Sequence, residues 1–129
     1  MTRKLATQTV RSYLDAMEAR EIDKARALLA PGFFMIFPGG NRFTDLEGLV
    51  EWSRPRYQWV AKRYERYDEA PLDDATAVYC YGTLYGVWPD GEPFEGIRFI
   101  DRFTVKDGKL VDQLVWNDLA IIQQQRNAA

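Results

Sequence analysis

The sequence predicts a single α+β domain in which helices come first and an antiparallel sheet follows. Apolar residues recur at helical spacing in the first part of the chain, and from about residue 64 onward they alternate with a period of two. Two hairpin turns, Pro89-Asp90-Gly91 and Lys106-Asp107-Gly108, divide the later part. The 129 residues fit one domain and contain no linker or internal repeat, so the predicted domain spans 1–129.

The amino-terminal part of the chain predicts three helices. The first covers 4–19, where apolar residues lie on one face. The second begins at Asp23, a favourable cap, and is stopped by Ala30-Pro31-Gly32. The third is capped by Thr44-Asp45 and extends to about residue 60. Because Pro55 cannot continue a regular helix, we expect it to kink or split this one.

The rest of the chain predicts strands. A compact apolar run, Phe33 to Phe37, ends at a Pro-Gly-Gly turn and forms an early strand. Four longer strands are predicted at 64–72, 76–88, 94–106 and 109–117. The three helices can cover one face of this sheet. Neither alternation of strand 76–88 is plainly polar, so we expect the second face to be covered too, by a homodimer packed sheet to sheet.

Charge and composition exclude several classes of function. With 17 basic and 19 acidic residues, the chain lacks the basic surface of a nucleic-acid-binding protein. Five basic residues interleaved with aromatic residues are instead expected on a solvated helix face: Arg54, Arg56, Lys62, Arg63 and Arg66. No apolar run has the length of a signal peptide or a membrane span, so no membrane partner is expected. The single cysteine, Cys80, cannot form an internal disulfide, which favours a cytoplasmic location.

The chain contains no histidine. This absence removes the commonest general base and the commonest transition-metal ligand. With one cysteine besides, the sequence predicts no metal site and no cofactor. Acid–base chemistry must then use carboxylates, tyrosines or lysines.

Two stretches of the sequence resemble a known superfamily. The first comprises Val10-Arg11-Ser12-Tyr13-Leu14-Asp15, Ala27-Leu28-Leu29-Ala30-Pro31 and Phe37-Pro38-Gly39-Gly40. The second comprises Ile97-Arg98-Phe99-Ile100-Asp101-Arg102-Phe103-Thr104-Val105, Asp107-Gly108-Lys109-Leu110 and Trp116-Asn117-Asp118-Leu119. Together they are similar to the nuclear transport factor 2-like superfamily, in its branch of ketosteroid isomerases and SnoaL-like polyketide cyclases. The resemblance implies a cone-shaped half-barrel, with a curved antiparallel sheet wrapped by three N-terminal helices around a small apolar pocket.

The resemblance also places two candidate catalytic residues. Tyr13 and Asp101 stand where the isomerases have the two donors of an oxyanion hole. Strand alternation points Asp101 the same way as Phe99 and Phe103, and a carboxyl group among phenyl rings tends to stay protonated. Two alternatives stay open: Tyr13 is a core aromatic residue, or Asp101 is the structural partner of an arginine, Arg98 or Arg102. The isomerases' general base precedes the proline of the first strand, where this chain has Phe37.

Further residues are expected around the pocket. By their place in the resemblance, Gln113, Val115 and Asn117 face it, unless the two amides only satisfy backbone groups. Apolar walls are expected from Phe37, Trp59, Phe99 and Phe103. Asp118 is a candidate substitute for the missing base, or more simply a cap or an ion-pair partner.

These residues imply a small enzyme, an isomerase, cyclase or dehydratase, acting on a small apolar or cyclic carbonyl compound that Tyr13 and Asp101 polarise. The missing base leaves two alternatives: a non-catalytic ligand-binding protein, and a dimeric association domain whose cavity is closed by Phe34, Phe37 and Trp59. A cavity of some hundreds of Å³ reaching Asp101 would favour the first two readings.

Overall fold

The computed structural model of the chain describes the backbone of residues 2–128 and the side chains of residues 5–128. The helices are α1 (Thr2–Glu18), α2 (Ile22–Arg26), α3 (Leu46–Ser53) and α4 (Leu119–Ala128). The strands are β1 (Leu29–Phe37), β2 (Asn41–Phe43), β3 (Trp59–Pro71), β4 (Thr76–Val87), β5 (Pro93–Lys106) and β6 (Lys109–Asn117).

All six strands form one sheet in the order β2-β1-β6-β5-β4-β3. Its pairs are antiparallel except for β1 with β6, which run parallel. The strand register shifts in β3–β4, β4–β5 and β5–β6, and such bulges bend the strands. The sheet is therefore curved and open, which confirms the predicted α+β half-barrel.

Helix α1 covers the inner face of the sheet and contacts β3, β4, β5 and β6. Its buried side chains recur at helical spacing: Ala6, Val10, Tyr13, Leu14 and Met17. They join one core cluster with inward residues of the strands. Burial of this apolar stripe is the main stabilisation that holds α1 on the sheet.

The third helix is shorter than predicted. Asp45 caps α3 as expected, because its Oδ1 accepts a hydrogen bond from Gly48 N at 2.6 Å. The helix then ends at Ser53, just before Pro55, which has no N–H to continue the hydrogen-bond ladder. Trp59 and the residues after it start β3 instead of extending a helix. The predicted continuation of α3 to about residue 60 is wrong.

Other elements also differ from the prediction, among them β1, β2 and α4. Strand β1 begins at Leu29 and passes through Pro31 and Gly32, with a register shift against β6 between Leu29 and Phe34. The short β2 and the terminal α4 were not predicted. Helix α4 starts where Asn117 Oδ1 accepts a hydrogen bond from Leu119 N at 3.1 Å, so a strand-end amide serves as its cap.

Candidate functional site

A cavity of about 60 Å³ lies against the inner face of the sheet. Aromatic and aliphatic side chains form most of its wall, including Phe37, Trp52, Tyr57, Val60, Leu84, Phe99 and Val115. Its polar residues come from the loop before β3 and from β3, β5 and β6: Arg56, Lys62, Asp101, Gln113 and Asn117. An apolar chamber with a few polar groups is the usual composition of a small-molecule site.

A second cavity of about 90 Å³ adjoins the first and reaches α1. The two share wall residues that include Phe37, Tyr57, Lys62 and Gln113. Each cavity is smaller than the about 300–1,000 Å³ of sites that bind drug-sized molecules, so the expected hundreds of Å³ are not present. An apolar cavity of about 150 Å³ holds benzene, so these cavities have room for no more than about one ring.

Packed aromatic rings account for the small volume. Phe37, Phe43 and Trp52 form a cluster with ring centroids 5.2 to 5.8 Å apart at one end of the cavity. Trp59, expected to close the pocket, does not line either cavity. It is the first residue of β3, is 47% exposed and packs edge-on against Tyr85. Its placement follows from the early end of α3.

Asp101 is the buried carboxyl group of the cavity wall. Its side chain is fully buried, and its Oδ2 lies 3.4 Å from Gln113 Nε2 and 3.7 Å from Lys62 Nζ. Oδ1 is buried and has no hydrogen-bond partner among the described residues. Burial raises the pKa of Asp101, while the Lys62 charge and the Gln113 amide act in the opposite direction. When the group is protonated, its hydrogen belongs on Oδ1, because Oδ2 accepts from Gln113 and faces the positive charge of Lys62.

Tyr13 lies deeper and lines only the second cavity of this pair. Its hydroxyl donates to Gln113 Oε1 at 3.4 Å and contacts Met35 Sδ at 3.8 Å. Burial, and then the nearby charge of Asp101, raises the pKa of Tyr13. Gln113 therefore stands between Tyr13 and Asp101. The two candidate donors are linked through its amide and do not face one chamber side by side.

Lys62 is the residue that sequence reasoning missed. The prediction of a long third helix placed it on a solvated face. In β3 it lines both cavities, its side chain is only 24% exposed, and its Nζ lies 5.4 Å from the centre of the Phe99 ring. A period-two pattern begun at Trp59 would have grouped Lys62 with the inward Val60 and Tyr64.

The arginines considered as partners of Asp101 lie elsewhere. Arg98 Nε bonds Asp118 Oδ2 at 2.8 Å, and Arg102 contacts the Tyr79 hydroxyl at 3.2 Å and Asp112 at 4.0 Å. The alternative in which Asp101 is the structural partner of Arg98 or Arg102 is therefore wrong. Asp118 is the ion-pair partner that the simpler reading expected, and it does not line either inner cavity.

The other predicted site residues divide into two groups. Phe37, Phe99, Gln113, Val115 and Asn117 line the first cavity. Phe103 does not: it is fully buried and packs edge-on against Tyr13, with ring centroids 6.0 Å apart. Strand alternation gave Phe103 the correct face, but α1 covers that part of the sheet.

Cys80 is the neighbour of Asp101 across the β4–β5 ladder. It is fully buried, and burial followed by the charge of Asp101 raises the pKa of its thiol to about 12. The thiolate is the nucleophilic form of cysteine, so burial and the raised pKa both disfavour a nucleophilic role for Cys80. Among the described residues, no three or more Asp, Glu or Cys side chains group as they would around a metal ion. No helix within residues 2–128 is long and apolar enough to cross a membrane.

Comparison with known proteins assigns the fold to a family. Solved structures of similar fold include an NTF2-like protein of unknown function from Burkholderia pseudomallei, with 18% identity, 93% of this chain and 95% of that chain covered, and a TM-score of 0.76. A provisionally assigned polyketide cyclase from Xanthomonas campestris pv. campestris has 19% identity, with 96% of this chain and 98% of that chain covered, and a TM-score of 0.72. TerC, co-crystallised with polyporic acid, has 14% identity, with 93% of this chain and 96% of that chain covered, and a TM-score of 0.73.

At these identities the structures establish a shared fold. No protein of curated function is significantly similar to this chain in sequence. The family model of the SnoaL-like domain matches residues 10–113, which is most of the chain. The chain therefore belongs to the SnoaL-like domain family, as its resemblance to the nuclear transport factor 2-like superfamily predicted.

Proposed function

We propose that this protein binds a small apolar or cyclic carbonyl compound beside Asp101 and transfers a proton on it, as an isomerase, a cyclase or a dehydratase. The observation that supports this proposal best is the Asp101 carboxyl group, which is buried, lines a cavity and has one oxygen without a partner among the described residues. A carboxyl group whose pKa is raised by burial is suited to act as acid and base near neutral pH.

The proposed reaction uses Asp101 in place of the family base that Phe37 replaces. The ionised Oδ1 removes a proton from the carbon next to the carbonyl group, and the resulting enolate is stabilised by the positive charge of Lys62. The protonated Oδ1 then returns the proton to a different carbon. Gln113 holds Oδ2 of the carboxyl group in place, and Tyr13 acts on the site through Gln113.

A β,γ-unsaturated cyclohexenone tests this reaction, because one proton must leave and return when the conjugated ketone forms. Ultraviolet absorbance follows that change, and the compound has the single ring that the cavities can hold. We expect turnover by the wild-type protein and a loss of at least about 100-fold in Asp101→Asn, since positioned acid–base groups contribute about 10²–10⁴-fold.

The matched control is Asp112→Asn, which alters a mostly buried carboxylate of β6 on the opposite face of the sheet. Its turnover should equal that of the wild type. If Asp101 only donated a hydrogen bond to the carbonyl oxygen, Asp101→Asn would retain much of the rate, because an amide also donates. Retained activity would therefore contradict proton transfer by Asp101.

A second candidate function is ligand binding, or dimeric association, without catalysis. The small cavity volume and the aromatic cluster of Phe37, Phe43 and Trp52 favour it. The same cyclohexenone separates the candidates. Saturable binding without turnover supports a binding protein, and the absence of both supports an association domain.

We also propose that the protein is a homodimer formed through the outer face of the sheet. Cross-strand neighbours Tyr81, Ile100 and Trp116 form a row on that face. Trp116 is 53% exposed and Ile100 is 38% exposed, and they border an open groove of about 540 Å³. Exposed aromatic and aliphatic side chains grouped in this way are typical of protein–protein interfaces.

A further inference from the structure

Among the ionisable side chains around the first cavity, positive groups outnumber negative ones. Lys62 and Arg56 each bring a positive charge, and Asp101 is the one carboxyl group among the lining residues that the structure describes. The cavity wall therefore has a net positive charge whichever form Asp101 takes. The second cavity adds Glu18 and Arg20, whose opposite charges leave that balance unchanged.

The ammonium group of Lys62 has hydrogen-bonding capacity to spare. It has three N–H donors, and its one carboxylate neighbour among the described residues is Asp101, at 3.7 Å. That distance is long for a charge-assisted hydrogen bond, which is normally about 2.7–2.9 Å. At least two donors of a largely buried cation thus remain for another acceptor, and the cation lines both cavities.

Arg56, unlike Lys62, forms no ion pair with a carboxylate within the part of the chain that the structure describes. Its guanidinium group stacks on Trp52, 4.2 Å from the ring centre, at the wall of the same cavity. Arg54, two residues earlier, differs: its Nε donates to Glu51 Oε2 at 3.0 Å. Stacking holds the Arg56 guanidinium in place and leaves its planar set of N–H donors available for a carboxylate.

We infer that the ligand is an anion: one apolar ring that bears a carboxylate or an enolate oxygen, with the negative group at Lys62 and Arg56. This inference rests on the proposed function for the position of the site and narrows the class of compound. The volumes of about 60 and 90 Å³ limit the ligand to one ring. The net positive charge of the cavity wall favours a negative polar group on that ligand. A neutral cyclic ketone would leave Arg56 and the remaining N–H donors of Lys62 without an anionic partner.

Calorimetric titration with benzoate and with benzamide tests the inference. The two probes share size and ring but differ in charge. We expect benzoate to bind at least about tenfold more tightly than benzamide, because a hydrogen bond to a charged group contributes about 1.5–3 kcal/mol and each 1.4 kcal/mol is tenfold in affinity. Lys62→Gln should abolish the preference and Arg56→Gln should reduce it. Arg54→Gln, the matched control outside the cavity, should leave it unchanged.

Equal affinity for the two probes would overturn the inference, as would a preference for benzoate that Lys62→Gln leaves intact. Failure of benzoate to bind would also overturn it. The proposed function is judged separately by turnover of the neutral cyclohexenone. A protein that turns over this compound but does not prefer benzoate would refute the anionic ligand and leave the proposed function unaffected. If Lys62→Gln does not fold, the variant with both Lys62→Gln and Asp101→Asn removes the whole pair and is compared with Asp101→Asn.

Discussion

The properties of Asp101 come from opposing effects on a single carboxyl group. Complete burial disfavours its charge, and the neighbouring Lys62 favours it. Because burial is the larger effect, the pKa of Asp101 lies above the value of about 3.9 found in an unfolded chain. The folded protein then binds more protons than the unfolded chain in the pH range above that value.

This difference predicts how stability depends on pH. Stability from the protonated Asp101 is fully present below the unfolded pKa and is lost as pH rises through the folded pKa. Asp101→Asn cannot ionise, so its stability relative to the wild type should improve between pH about 4 and about 7. Urea denaturation midpoints of both proteins at the two pH values measure this change. A variant that is destabilised more at neutral pH than in acid would show that Asp101 is mainly an ionised partner of Lys62.

Gln113 is expected to tune the same group. Its Nε2 donates to Oδ2 of Asp101 and so favours the ionised carboxylate. Gln113→Leu removes that donor, which should raise the pKa of Asp101 further. The pH at which kcat/KM for the cyclohexenone reaches half its maximum should move upward, and activity at neutral pH should fall severalfold. Tyr13→Phe, the control, leaves the Gln113 amide on Asp101 and should move the profile less.

Among the helices and strands, the sequence predicted correctly those features that depend on residues close together in the chain. Helix α1, the cap at Asp45 and the hairpin turns depend on nearby residues, and the structure has them as predicted. The end of α3 at Pro55 was placed too late, and that error assigned Lys62 to a helix face. The sequence therefore predicted that Asp101 and Gln113 line the cavity, but it did not predict that Lys62 lines both cavities.

The remaining errors concern contacts between distant parts of the chain. Lys62 in β3 reaches Asp101 in β5 across the intervening β4, and no spacing along the sequence encodes such a contact. The cavity volume depends in the same way on how Phe37, Phe43 and Trp52 pack together from three elements. Side-chain packing of this kind is decided by the whole core.

The close approach of β3 and β4 predicts a specific requirement for glycine. A Cβ atom at Gly82 would meet the backbone carbonyl oxygen of Arg63 and, at 2.9 Å, the backbone nitrogen of Glu65. These atoms belong to the bulge of β3, which cannot move without disturbing the strand that bears Lys62. Gly82→Ala should destabilise the fold by about 1–3 kcal/mol, as overpacking does elsewhere.

Urea denaturation measures this cost, with Thr83→Ala on the same strand as the control. Thr83 borders the outer groove and does not press on the β3 bulge, so its truncation should cost clearly less stability than Gly82→Ala. Equal stabilities for Gly82→Ala and Thr83→Ala would mean that the bulge adjusts to a methyl group and that β3 is not held rigidly over β4.

The inner and outer faces of the sheet differ in the space that they offer to a binding partner. The inner face is closed by α1 and by packed aromatic rings, and it leaves space for about one ring. The outer face has wide open space beside Ile100 and Trp116. A small ligand suits the inner face, whereas only a surface as broad as another protein could cover the outer one.

The homodimer proposed for the outer face makes a prediction about mass. Light scattering at micromolar concentration should give twice the 15.0 kDa of one chain. Trp116→Glu should give the monomer, because a carboxylate placed among Tyr81, Ile100 and their symmetry equivalents would lose its hydration without a partner. Trp59→Glu is the matched control: Trp59 is 47% exposed on the same face but lies in the edge strand β3, and it does not border the groove at Ile100 and Trp116. This variant should remain dimeric. A wild-type protein that scatters as a single chain would refute the dimer, and a Trp116→Glu variant that remains dimeric would place the interface elsewhere.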